Sequence, residues 1–171
     1  MKIVVTICWT VLSLLPLAAQ VPTPPKSRMS ELEYFHGQWE CSGKFTRSGA
    51  SIEAHLQFES ILDGKFVLFR HDDKPPHSYH AWAEWGWDEA GKQFASSVQD
   101  SAGGLRLFHA TGWDGDRLLW EGGTPGQTGT QRFLFEKIPA GQFRVSYSYQ
   151  KDGAWVAVDS STCTRSEVEK R

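Results

Sequence analysis

Two histidines and two cysteines carry most of the chemistry this sequence could do: His71 and His109, and Cys41 and Cys163. A His inside an apolar interior must find a hydrogen-bond partner or water. It can then be a satisfied core residue, a polar anchor for a ligand, or a general acid or base. Two Cys in an oxidising compartment form a disulfide, and otherwise behave as separate buried thiols of small apolar character. The remaining candidates are weaker. His77-x-x-His80 has metal-ligand spacing but falls in a Pro-rich turn with no third ligand, and reads as a solvated loop. His71-Asp72-Asp73 reads as a polar strand end. Glu84 and Asp88 share an outward strand face, whereas glycoside chemistry needs carboxylates that face each other across a cleft. No nucleophile elbow or phosphate loop is visible. No catalytic residue and no metal ligand is assigned.

The elements that must position these residues begin after an N-terminal segment with the pattern of a secretory signal. Lys2 supplies the positive start, Ile3–Leu17 the apolar stretch, and Ala18 and Ala19 the small residues before a cleavage site after Ala19. The competing reading is an uncleaved anchor, although the apolar run is short of a full membrane span. Signal removal takes Cys8 with it and leaves Cys41 and Cys163 as an even pair. The expected divisions are a signal peptide at 1–19, a Pro-rich linker at 20–29, one barrel domain at 30–166 and a charged tail at 167–171. A formal net charge of −2 on 171 residues gives no electrostatic case for a nucleic-acid partner. The sequence is silent on oligomeric state. Eight Trp and ten Phe supply a large core, or a core with a stacking site in it.

Ser30 with Glu33 three residues on makes a capping box, and predicts a short helix at Ser30–His36 ended by Gly37. From Gly37 onward, turn signals recur at the spacing of short strands: Ser48-Gly49, Asp63-Gly64, the Pro pair at 75–76, Asp88–Gly91, Ala102-Gly103, Asp114-Gly115, Gly122–Gly129, Pro139–Gly141 and Asp152-Gly153. They predict an all-β fold, a closed antiparallel up-and-down β-barrel of about ten strands. A membrane barrel would need an unbroken apolar outer band. The outward phases here carry Glu53, Gln57, Arg117 and Glu121 instead, so the mature chain is expected to have no membrane span.

Hairpin register then sets which side chains point inward. A two-residue turn at Asp63-Gly64 pairs Phe58 with Phe69 and Leu56 with His71, which turns His71 inward. The same reasoning at Asp114-Gly115 pairs His109 with Trp120 and places His109 inside. Tyr79, Ala81, Ala83, Trp85 and Trp87 share one strand face. The last hairpin has two solutions. A two-residue turn at Asp152-Gly153 sends Val156 and Val158 to Tyr147's side. A three-residue loop sends Trp155, Asp159 and Cys163 there instead, and only this one puts Cys163 on the face of Cys41, so it is preferred. Closure makes the first and last strands neighbours, as a Cys41–Cys163 bridge needs.

The stretches GQWECSGKF, ILDGKFVLF, WGWDEAGKQF and GWDGDRLLWEG resemble the lipocalin-like, calycin-type bacterial families of unknown function. The resemblance runs from about Tyr34 to Arg165. It rests on Gly37 and Trp39 of the first strand, Asp63 and Gly64 of the second hairpin, and Gly86, Trp87 and Asp88 of a later turn. With the N-terminal signal pattern, which makes the protein secreted or periplasmic, it implies a barrel that binds a small apolar or aromatic molecule. The lining would come from Phe58, Phe69, His71, Trp85, His109, Trp120 and Tyr147. The Gly37–Phe45 opening is also similar to that of the nitrobindins, which bind haem through a His in the C-terminal part of the chain. The last His here is His109, so haem is not expected and no cofactor is assigned. Two other functions stay open: an enzyme that uses an interior His as acid or base, and a filled barrel with a structural or interaction role.

Overall fold

The computed structural model describes residues 27–126 and 130–166. The expected signal peptide, the linker as far as Lys26 and the tail at 167–171 lie outside the described residues.

A short 3-10 helix, Arg28–Phe35, opens the fold. It starts two residues before the expected helix, and its cap is Ser27 rather than Ser30. The Ser27 hydroxyl accepts the Met29 N–H at 3.3 Å, and the Ser30 hydroxyl donates back to the Ser27 carbonyl at 2.7 Å. The reason lies in the apolar spacing. Met29, Leu32 and Phe35 recur every three residues, and all three are buried. Three residues per turn is the 3-10 period, so only that helix lines them up on one edge.

Eleven strand segments follow: β1 Gly37–Phe45, β2 Ser51–Ile61, β3 Phe66–Asp73, β4 His80–Asp88, β5 Gln93–Asp100, β6 Leu105–Ala110, β7 Trp113–Asp114, β8 Arg117–Gly123, β9 Gln131–Ile138, β10 Gln142–Lys151 and β11 Ala154–Arg165. They form one antiparallel sheet in the order β6-β5-β4-β3-β2-β1-β11-β10-β9-β8-β7, and β6 pairs with β8 to close it. β6 and β7 are two pieces of one strand, broken at Gly112 with φ +117°. The result is the expected closed barrel of ten antiparallel strands. Among the described residues, no helix is long and apolar enough to cross a membrane.

β1 and β11 meet at the seam, where Cys41 sits directly opposite Cys163. The two form a disulfide with Cα atoms 4.0 Å apart. The last hairpin combines both solutions allowed by the sequence. Its turn has two residues, Asp152 and Gly153, both at positive φ as a type I′ turn requires. A β-bulge then inserts Val158 between the pairs Ser148–Ala157 and Tyr147–Asp159. That one extra residue flips the phase. Val156 lies opposite Tyr149, and Asp159 and Cys163 come round opposite Tyr147 and Phe143. Trp155, expected on Tyr147's side, pairs with Gln150 instead and carries the Arg132 guanidinium 3.9 Å above its ring.

The helix closes one end of the barrel. Phe35 is fully buried there, stacked on Phe58 at 5.2 Å and on Trp113 at 5.5 Å. Its edges meet Trp85, Phe135 and Phe143. Three polar groups of this floor are paired: Trp39 Nε1 donates to the Phe35 carbonyl at 2.7 Å, Trp113 Nε1 to the Glu31 carbonyl at 2.8 Å, and the Tyr34 hydroxyl to the Gln142 carbonyl at 2.6 Å. Arg165, at the end of β11, lies over Trp39 and donates to the backbone carbonyls of Tyr34 and His36. The helix is thus tied to strands from both sides of the seam.

Candidate functional site

Above this aromatic floor the interior is open. A cavity of about 340 Å³ occupies the barrel between the floor and the strand ends opposite the helix. This volume is at the small end of ligand sites, which run from about 300 to 1,000 Å³. Five of the seven residues expected to line it do so: Phe69, His71, Trp85, Trp120 and Tyr147. Phe108, Phe133 and Phe135 add further ring surface, and Ala54, Ala81 and Ala83 leave the room that larger side chains would fill.

Phe58 and His109 are corrections. Phe58 is buried, but its ring belongs to the floor, between Phe35 and Phe69 at 5.2 and 4.7 Å. Phe35 fills the space that would otherwise expose Phe58 to the cavity. His109 is exposed on the outer surface, opposite Glu121. The break at Gly112, rather than the turn, explains the error. Asp114 pairs with Arg117, so the two-residue loop is Gly115-Asp116, with Gly115 at φ +58° in its first position. This is where a type II′ hairpin takes glycine. This turn moves the register by two residues and leaves His109 on the face of Trp120, but the break at Gly112 moves it by one, so His109 lies opposite Glu121 and points outward. An acid–base role shared by His71 and His109 is therefore ruled out by position.

The cavity's polar residues gather toward the end away from the helix. His71 Nε2 and Asp73 Oδ1 are 2.7 Å apart. They sit two positions apart on β3 and so share its inner face. The sequence reading as a polar strand end missed this pair. Arg106 was missed as well, because β6 inverts the usual pattern: Leu105 and Leu107 point outward and Arg106 points in. Its guanidinium donates to Asp100 Oδ2 at 2.9 Å and to the Tyr79 hydroxyl at 2.8 Å. The other Asp100 oxygen accepts the backbone N–H groups of Ala102 and Gly104, both at 3.0 Å. The Tyr147 hydroxyl donates to Gln131 Oε1 at 3.0 Å. Burial raises the Tyr79 and Tyr147 hydroxyls above their usual range, with the nearby Arg106 acting against it.

Asp159 differs from the other two carboxylates of the wall. Burial pushes its pKa up to about 6, against the attraction of His71 and with a smaller contribution from Asp73. A backbone hydrogen bond from Tyr147 opposes the rise. Among the described residues, no side chain pairs with it. Deeper in the wall, Ser96 Oγ and Trp120 Nε1 are buried without hydrogen-bond partners. His77 and His80 lie outside the cavity wall, bonded to Ser51 O at 3.0 Å and to Asp72 at 2.7 Å.

The shift at Asp159 has a consequence for stability. A carboxyl with a pKa higher in the folded than in the unfolded chain favours folding below its unfolded value of about 3.9. That contribution is lost as pH rises through about 6. Asp159→Asn is therefore expected to raise stability above pH 6, on the order of 2 kcal/mol, and to change it little near pH 4. Urea denaturation at both pH values checks this. A variant less stable at the higher pH would contradict it.

No family model matches the chain, and no curated protein matches it. Among solved structures, it is similar to the structure of EF1p2_mFAP2b bound to DFHBI, with 14% sequence identity, 82% of this chain and 100% of that chain covered, and a TM-score of 0.37.

Proposed function

We propose that this barrel binds a small molecule with an aromatic or apolar body, and that the protein is secreted or periplasmic and lipocalin-like. The observation that carries the reading is the cavity of about 340 Å³ walled by Trp85, Trp120, Phe69, Phe108 and Phe133. Rings of this kind supply large apolar area and stacking faces. A few polar groups at one end then orient the ligand. The Cys41–Cys163 disulfide accords with an oxidising compartment. Native mass spectrometry of protein purified from its own host compartment tests the reading. A retained small molecule with an aromatic chromophore is the expected result. Protein that is ligand-free as isolated, and that takes up no member of an aromatic library, would overturn it.

The His71–Asp73 pair favours one second reading, an enzyme working in the same cavity. A carboxylate that holds an imidazole by hydrogen bonding orients it as a general base. Turnover of the retained molecule, lost in His71→Gln with binding preserved, would select this reading over simple binding.

A further inference from the structure

The charge of the cavity wall restricts the ligand beyond its aromatic body. The charged and titratable side chains of the lining are Asp73, Asp100 and Asp159, with Arg106 and His71, besides the two tyrosines. With the carboxylates ionised, negative charge is in excess whichever state His71 takes. Two of the three carboxylates are already committed. Asp100 is held by Arg106 and by two backbone N–H groups. Asp73 is held by His71. Asp159 has only the backbone hydrogen bond from Tyr147, and it lines the cavity. A carboxylate drawn out of water needs a partner of opposite charge or must take up a proton. Nothing on the facing elements supplies that charge in fixed form. From β3 it faces His71 and Asp73, from β10 Tyr147, and from β1 the apolar Phe45. The one permanent cation of the wall, Arg106, is engaged by Asp100.

We propose that the ligand carries a protonated amine, which pairs with Asp159, on an aromatic body held by Trp85, Trp120 and the phenylalanines of the wall. This deepens the binding reading above and rests on it. The aromatic walls fit the same sign of charge, since ring faces attract cations. Ser96 is a second, independent indication of a polar ligand. It is buried in the same wall with an unpaired hydroxyl, which a hydroxyl or carbonyl group on the ligand's ring would satisfy. Anionic ligands are disfavoured, because the carboxylates surround the space they would occupy.

Three probes of similar shape and different charge test the proposal: tyramine, a cation; 4-ethylphenol, which lacks the amine; and 3-(4-hydroxyphenyl)propionate, an anion. Each competes with the neutral fluorescent probe N-phenyl-1-naphthylamine in the full mature protein at about pH 8, where Asp159 is ionised. A hydrogen bond to a charged group contributes about 1.5–3 kcal/mol, so tyramine is expected to bind at least about tenfold more tightly than 4-ethylphenol. The propionate is expected to be weakest. In Asp159→Asn, tyramine should fall to the level of 4-ethylphenol. Equal or tighter binding of 4-ethylphenol or the propionate by the wild-type protein would overturn the proposal, whatever the variant does. So would a tyramine advantage that survives Asp159→Asn. If the neutral probe binds and tyramine fails to displace it, the amine inference fails while the binding reading stands. If the neutral probe itself finds no site, the binding reading fails.

Discussion

Phe35→Ala is expected to destabilise the protein by about 3–5 kcal/mol, the range for emptying a buried phenylalanine site. Phe35 is the helix side chain whose ring packs against rings from five strands at the barrel's closed end. It is fully buried, stacks on Phe58 and Trp113, and meets Trp85, Phe135 and Phe143 at their edges. These five partners come from β2, β7, β4, β9 and β10, so the ring gathers strands from around the barrel's circumference. No local rearrangement can refill the space, because the neighbouring rings are anchored on different strands. The cavity above the floor would extend downward into the gap. Helix docking would weaken too, although Trp39 Nε1 keeps its acceptor on the residue 35 carbonyl. Guanidinium denaturation of the variant checks the value. A loss below about 1 kcal/mol would mean that the helix is not the barrel's floor in solution, since removing a large buried side chain to Ala costs at least about 2 kcal/mol.

Removing the seam disulfide is the second large effect. Cys41 and Cys163 are 122 positions apart in sequence and face each other across β1 and β11. The bridge closes almost the whole described chain into a loop, and loop length sets how far the unfolded ensemble is restricted. The chain-entropy model gives about 4–5 kcal/mol for a loop of this size, while native bridges removed from small secreted domains cost about 2–5. Cys41→Ala with Cys163→Ala is expected to fall in the latter range, with the β-sheet circular dichroism of the folded state unchanged. The register of β1 on β11 runs from Trp39–Arg165 to Phe45–Asp159 and does not depend on the bridge. Thermal denaturation of the reduced and oxidised wild-type protein should reproduce the loss. Two free thiols titrating in oxidised, denatured protein would contradict the bridge itself.

What the sequence made legible followed hairpins whose turn residues admit one geometry. Asp63-Gly64 places Leu62, Asp63 and Gly64 at positive φ, and the register it implies, Leu56 with His71 and Phe58 with Phe69, is the one found. The alternation from Tyr79 to Trp87 was readable for the same reason, as alternation on a paired strand has one meaning. Failures came where one residue changed the phase. Gly112 breaks the strand behind the Asp114-Gly115 hairpin and shifts its register on β8 by one residue, so His109 emerges on the outside. The Val158 bulge reconciles a two-residue turn with an inward Cys163, and no local sequence signal separates it from a longer loop. Arg106 was hidden by its neighbours. Leucines at 105 and 107 suggest the inner face by hydropathy, but Phe108 and Ala110 take it, and Arg106 on their face is held by Asp100 and Tyr79. Phe58 was read on the correct face but at the wrong height, because the helix plug that covers it comes from a separate stretch of sequence.

The account's central claim is that the space above the Phe35 floor is a ligand site, and filling that space tests it most directly. Ala83 lines the cavity from β4, between Phe69 on β3 and Val98 on β5. N-phenyl-1-naphthylamine is titrated into the wild-type protein and into Ala83→Trp, with Ala54→Phe as a second filling variant from β2. Saturable uptake of one probe per barrel is the predicted result, with energy transfer from the wall tryptophans and at least a tenfold loss of affinity in a filled variant that keeps its β-sheet spectrum. No saturable uptake by the wild-type protein, or undiminished affinity in both folded, filled variants, would contradict the account.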